Sequence, residues 1–174
     1  QVLAKSKEIM KDLEEKGISV ELDDREEYKA GFKFNEWELK GVPLRIEIGP
    51  KDIEKNKVVL ARRDTGEKTD AEIKTATNAV EKLLNNIQKD MLKKSKEFLN
   101  KNTYNAKDYK DLRSLTKSQK GMVRAFFCGD ENCEENIKEE TGATTRCFPF
   151  NEDKKGKCIK CGKEGKLILF AKAY

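Results

Sequence analysis

Four cysteines carry the most specific chemical signal in the chain. Cys128 and Cys133 are separated by four residues, Cys158 and Cys161 by two, and Gly162 follows directly. Two close thiol pairs supply the donors of a tetrahedral zinc site, because thiolate is a soft ligand and zinc accepts four of them without redox chemistry. The Cys-x-x-Cys-Gly half is the more specific, since a metal knuckle needs a tight reversal whose amides point at the sulfurs. Two other readings stand beside it: inert buried thiols that happen to fall in pairs, and redox catalysis by Cys158 and Cys161. The small polar neighbours Gly129, Asp130 and Lys160 count against the first, and the second requires a helix start after a core strand. Cys147 is left over, and its apolar neighbours read as the surroundings of a buried structural thiol.

The 174 residues include no histidine. That removes every Ser–His, Cys–His and His–metal arrangement, so catalysis would fall to carboxylates, lysines or an unaided thiolate. Charged residues make up 40% against 36% hydrophobic, and no apolar run approaches the roughly 18 residues of a membrane helix. The composition is that of a soluble, cytoplasmic polypeptide. An odd cysteine count with all five between 128 and 161, and no signal-peptide pattern, favours a metal site in a reducing compartment over a disulfide framework. Of the net charge of +5, residues 1–100 hold 21 of each sign and contribute none, while 101–174 hold 16 basic and 11 acidic residues. This balance permits RNA binding without arguing for it.

The elements that must position these groups follow from periodicity. Residues 2–16 place apolar side chains at helical spacing and stop at Gly17. Alternation predicts strands at 18–22 and 44–48, and the solid apolar run 58–61 predicts a third. Thr69 and Glu72 have capping-box spacing ahead of a long helix whose apolar stripe reaches Met91. A polar stretch follows, with a short helix around 107–115, and strands are expected at 123–127 and 167–170. The organisation is a mixed α/β domain over 1–100, a linker over 101–120 and a small zinc-binding domain over 121–174.

Two longer motifs sharpen this reading. Residues 31–52, Gly-Phe-Lys-Phe-Asn-Glu-Trp-Glu-Leu-Lys-Gly-Val-Pro-Leu-Arg-Ile-Glu-Ile-Gly-Pro-Lys-Asp, are followed at 59–68 by Val-Leu-Ala-Arg-Arg-Asp-Thr-Gly-Glu-Lys. Both closely resemble the anticodon-binding domain of prolyl-tRNA synthetases of the eukaryotic and archaeal type. Downstream, Phe127-Cys128-Gly129, Thr141-Gly142-Ala143, Cys147-Phe148-Pro149-Phe150, the Cys158/Cys161 knuckle and Tyr174 look like the same family's C-terminal zinc-binding domain. The resemblance implies an α/β mixed-sheet domain flanked by helices, followed by a small α+β domain holding structural zinc. It also implies tRNA(Pro) as partner, ATP and Mg used only in a catalytic domain that is absent here, and a parent that is a homodimer through that domain. These residues alone are then expected not to aminoacylate. The family's first strand, ahead of its first helix, is also expected to be missing.

Leu44, Ile46 and Ile48 share one strand face, which leaves Arg45 and Glu47 together on the other. An arginine matches the O6 and N7 acceptors of guanine, and a carboxylate matches its N1 and N2 protons. The expected tRNA contacts are therefore Arg45 and Glu47, with Lys51, Arg62, Arg63 and Lys68 on the RNA backbone. The free amides at 49–52 offer a phosphate site. A solvated Arg45–Glu47 salt bridge is the plain alternative. Phe32, Phe34 and Trp37 suit a packed helix better than base-stacking platforms. A stand-alone tRNA-binding module or accessory subunit is the alternative function.

Overall fold

The computed structural model describes residues 1–118 and 121–172. Gln119, in the polar stretch expected over 101–120, and Tyr174, named in the resemblance, lie outside the described residues. Two compact units divide between Lys94 and Ser95.

The first unit opens with α1 (Val2–Glu15), which buries Ile9 and Leu13 and ends where Gly17 takes a left-handed φ of +74°. Residues 18–22 then alternate half-buried with exposed, yet join no ladder among the described residues. Ile18 and Val20 instead lay their side chains on the core, so alternation here records one-sided packing without strand pairing. Helix α2 (Ala30–Leu39) leads to β1 (Leu44–Glu47), α3 (Pro50–Glu54), β2 (Lys57–Arg62) and β3 (Lys68–Glu72), and the three strands form an antiparallel sheet in the order β1-β2-β3. Thr69 and Glu72 belong to β3, with Thr69 opposite Leu60. The capping-box expectation fails there because the open edge of β2 offers the backbone a full ladder. Helix α4 (Ala76–Lys101) starts after a single 3-10 turn at Ile73–Thr75. Leu13, Val58, Leu60, Ala76 and Val80 make the core on one face of the sheet. Full burial of each leucine contributes roughly 1.5–3 kcal/mol before the entropy of ordering is charged against it.

The chain between α1 and α2 is held by a polar knot. Arg25 donates from Nε and Nη2 to Asp23 at 2.9 and 2.7 Å and to Glu36 at 2.6 Å, and Trp37 Nε1 donates to Asp23 Oδ2 at 2.8 Å. These bonds hold the Asp23 carboxyl far below the usual carboxylate range, the Arg25 bond being the largest cause.

The second unit contains β4 (Thr103–Asn105), α5 (Tyr109–Ser118), β5 (Met122–Phe127), α6 (Glu131–Thr141), β6 (Ala143–Cys147), β7 (Lys155–Lys157) and β8 (Glu164–Lys172). The sheet order is β4-β5-β8-β6, with β7 also paired to β8. The polar stretch 101–120 supplies, as far as Ser118, a strand that pairs in parallel with β5 and a helix that buries Leu112 completely. Lys110, Arg113, Ser114, Lys117 and Ser118 lie on the exposed side of α5, while Thr116 is buried. Leu112, Val123, Ile137 and Phe170 form the centre of the core, where Phe127 meets Phe170 edge-on at 5.9 Å. A Cβ added to Gly165 would lie 2.4 Å from the Phe127 carbonyl oxygen, so β8 passes β5 where only glycine fits. No helix among the described residues is long and apolar enough to cross a membrane.

Two outcomes follow. Gly165→Ala should destabilise the protein by about 1–3 kcal/mol in urea unfolding through forced displacement of β5 from β8. Gly31→Ala, where nothing lies within 4 Å of the added carbon, should be neutral or slightly stabilising. Equal losses in the two variants would contradict the close approach. Because the Asp23 pKa is depressed on folding, its contribution is complete above about pH 4 and is lost as pH falls below that. Asp23→Asn should lower stability at pH 7 and flatten the acid limb, the two curves converging at low pH.

Candidate functional site

The unit with the three-stranded sheet carries a charged face opposite its core. Register places Arg45 beside Ala61, which lies beside Lys68, and Glu47 beside Val59. The polar side chains of alternate positions therefore share one surface, as the strand period requires. Arg45 Nε and Nη2 donate to Glu47 Oε1 at 3.0 and 2.9 Å, Arg45 Nη1 donates to Glu38 Oε1 at 2.8 Å, and Lys68 Nζ donates to Glu47 Oε2 at 3.0 Å. The Arg45 guanidinium stacks 4.0 Å from the Phe34 ring centroid. Burial opposes the Arg45 charge, but the bonds to Glu38 and Glu47 outweigh it and raise its pKa. Burial likewise works against the Glu47 carboxylate and is outweighed by Lys68 and Arg45, so its pKa falls. Arg45 and Glu47 therefore stay charged near neutral pH.

A guanidinium has five N–H donors. Three of those on Arg45 are engaged here, which leaves two for an incoming acceptor. Glu38 has an oxygen that receives no donor among the described residues and a side chain 47% exposed. Sequence reasoning passed over Glu38, although it stands four residues after Phe34 and so on the same side of α2.

The other expected contacts separate. Arg62 turns away from this surface: it donates to Asp64 at 3.0 and 2.7 Å and to Asp90 of α4 at 2.8 Å, with a side chain only 10% exposed. Arg63 and Lys51 are exposed. The first turn of α3 is already answered, since the Gly49 amide donates to Asp52 Oδ2 at 2.8 Å; the phosphate site expected at 49–52 therefore meets a carboxylate. Phe34 packs beneath Arg45 while Phe32 lies 53% exposed in a stack with Tyr28. Trp37 is tied to Asp23.

In the second unit the four paired cysteines converge. Their sulfurs all lie within 4.8 Å of one another, and the Cys161 and Cys128 sulfurs are 3.6 Å apart. Metal–sulfur bonds of about 2.3 Å in a tetrahedron require sulfur–sulfur edges of about 3.8 Å, so the donor set fits a thiophilic metal. Cys128 follows β5, and Gly129 with φ +82° turns the chain into α6, whose first turn carries Cys133. Asp130 caps that helix by accepting the Asn132 amide at 3.0 Å. The knuckle is closed by the Cys158 amide on the Lys163 carbonyl at 2.7 Å and the Gly162 amide on the Cys158 carbonyl at 2.9 Å, with Gly162 at φ +77°. The Ile159 amide reaches the Phe126 carbonyl at 2.8 Å and fastens the knuckle to β5.

Burial and the neighbouring thiols push Cys133 up to about 12. Burial also works against the Cys158 thiolate, but amides including those of Cys161 and Lys160 outweigh it and bring that thiol to about 7. Sulfurs this close do not all ionise without a cation between them, and a divalent metal is a cation this donor set would accept. Cys147 is exposed, contrary to the buried thiol expected. It ends β6 at a register shift, and the adjoining Phe148 and Phe150 also face outward, Phe150 at 95%. Apolar neighbours in sequence do not make a core when a bulge turns them out.

Residues 1–90 match the anticodon binding domain family, and residues 109–174 match the family described as prolyl-tRNA synthetase, C-terminal. A proline–tRNA ligase of Natranaerobius thermophilus is 45% identical over 177 residues, covering 100% of this chain and 36% of that protein. Proline–tRNA ligase 2 of Clostridioides difficile is 45% identical over 168 residues, covering 95% of this chain and 35% of its own length. A crystal structure of the prolyl-tRNA synthetase of Cryptosporidium parvum, complexed with L-proline and AMP, superposes with a TM-score of 0.86 at 35% identity over 98% of this chain and 37% of that one. The chain thus spans little more than a third of the length of the relatives it matches.

Replacing Cys158 and Cys161 together by Ser should abolish stoichiometric metal binding and lower the stability of the second unit, because metal binding of this kind is also folding energy. Cys147→Ser should retain the metal. Full metal content in the double variant, measured by elemental analysis of the purified protein, would remove the four-cysteine assignment.

Proposed function

The chain belongs to the prolyl-tRNA synthetase family, with its anticodon-binding domain and its C-terminal domain, and from that premise we propose that it selects tRNA(Pro) by its anticodon for a proline–tRNA ligase. The observation that carries this reading is the pair of family matches, in order, over both units. In this reading the parent polypeptide attaches proline to tRNA(Pro) using ATP and Mg in a catalytic domain outside these 174 residues. It works in the cytoplasm and dimerises through that domain. The anticodon-binding domain corresponds to 1–100, and the C-terminal zinc-binding domain takes 121–174 with 101–120 leading into it.

Recognition falls to the charged face of the first unit. Arg45 keeps two N–H donors for the O6 and N7 acceptors of a guanine, and the stack on Phe34 fixes the plane in which it offers them. Glu47 sets the Arg45 orientation, and with Glu38 it provides carboxylate oxygens for guanine N1 and N2 protons. Lys51, Arg63 and Lys68 are placed to hold the phosphates of the loop. Arg62 braces the end of β2 against α4, so its part is to position Arg63. In the second unit Cys128, Cys133, Cys158 and Cys161 hold one zinc ion, whose contribution is structural.

The two kinds of contact should fail differently. Arg45→Ala and Glu38→Ala should each cost about 1–3 kcal/mol on tRNA(Pro) and little on a variant with an exchanged anticodon. Lys68→Ala should weaken both RNAs alike and reduce the salt slope by about one unit. The check is filter binding of the two RNAs at two salt concentrations. Equal losses on both RNAs for Arg45→Ala would leave the Arg45–Glu47 pair as a surface salt bridge and nothing more.

A further inference from the structure

The zinc knuckle reaches beyond its own loop through one side chain. Lys160 stands between Cys158 and Cys161, at the tip of the turn. Its ammonium donates to Glu140 at 2.5 Å and lies 4.3 Å from the centroid of the Tyr109 ring, with the side chain only 24% exposed. Arg113 of α5 approaches the same Glu140 carboxylate at 3.9 Å.

Glu140 occupies the last turn of α6, whose first turn carries Cys133. The two positions are seven residues apart, or about 10 Å along the axis. A carboxylate in a final turn faces the negative end of the helix dipole and needs a cation beside it. Lys160 is that cation, and its position is dictated by a turn that the sulfurs and three backbone hydrogen bonds hold.

We infer that Lys160 turns the metal site into a clasp on α6, gripping its first turn through Cys133 and its last through Glu140 and holding α5 against it through Tyr109. Zinc occupancy and the order of α5 and α6 are then one linked equilibrium. Linkage is reciprocal: whatever loosens the Lys160–Glu140 contact weakens zinc retention, and loss of zinc releases helix ends that touch no sulfur. Lys160 is a positioning residue and does not ligate the metal. Sequence spacing alone assigns it no role, because its partner lies 20 residues away.

This inference rests on the zinc reading, and the test keeps the two apart. Zinc content is measured for the unchanged chain, Lys160→Met, Lys160→Arg and Glu140→Gln. Release to a chromogenic chelator is then timed, and amide exchange is followed peptide by peptide. Lys160→Met and Glu140→Gln should bind one zinc and release it about tenfold or more faster, the scale seen when groups that orient metal ligands are removed. Amides of α5 and of the last turn of α6 should lose protection, while those of β1 and β2 stay unchanged. Lys160→Arg should restore most of the retention. Zinc bound with unchanged release and unchanged α5 protection in Lys160→Met and Glu140→Gln would overturn the clasp and leave the metal site standing. Absence of zinc from the unchanged chain would overturn both.

Discussion

The close passage of β8 over β5 is the constraint on which the second unit depends. Gly165 faces the Phe127 carbonyl at a distance no side chain allows. The register that follows pairs Phe127 with Lys166 and Val123 with Phe170. It brings the residues just before β8 alongside those just after β5, and so carries Cys158 and Cys161 to Cys128 and Cys133. The sulfur geometry is thus a consequence of strand pairing. Even a small shift of that register would move the knuckle by more than a metal–sulfur bond length, since a strand advances about 3.3 Å per residue.

In the first unit the corresponding problem is electrostatic. In the proposed reading, a face that meets an anionic, hydrogen-bonding partner has to keep its charges available and its side chains still. Arg45 meets both demands by partial engagement: Glu38, Glu47 and Phe34 fix its plane, and two donors stay open. The network adds little net stability, since the Arg45 and Glu47 side chains are only 18% and 19% exposed and the cost of desolvating them offsets much of their attraction. Its value is preorganisation, because side-chain entropy is spent in folding before any partner arrives.

Elements with a strong single period were legible in the sequence. Helix α1, the strands around Leu44 and Leu60, and the strands that flank the cysteine pairs all sit where apolar spacing put them. The failures have common physical causes. Residues 18–22 alternate but pair with nothing described. Thr69 and Glu72 resemble a helix start because local capping is visible in sequence, whereas the free edge of β2 is not. The helix over Glu131–Thr141 leaves little apolar signal because its buried line, Cys133, Ile137 and Thr141 at helical spacing, contains one large aliphatic side chain. The convergence of the four paired cysteines was legible because it depends on short spacing within each pair. Glu38, which reaches Arg45 from another element, and Lys160, which reaches Glu140, were not, because contacts across elements leave no local mark. Arg62 is engaged by Asp64 two residues on and by Asp90 28 residues away, and only the second of these partners leaves no local mark.

Strand β8 is central to its sheet and follows β4 to β7 in chain order. A ribosome therefore delivers β4, α5, β5, α6, β6 and β7 before the strand that joins most of them exists. Until Glu164–Lys172 has emerged, β6 and β7 have no strand to pair with among the described residues and one edge of β5 stays open, a state prone to wrong pairing. The last of the four clustered thiols, Cys161, precedes that strand by only three residues. Closure of this sheet therefore waits on its most C-terminal strand, and the earlier strands are held apart from their partner until it is made.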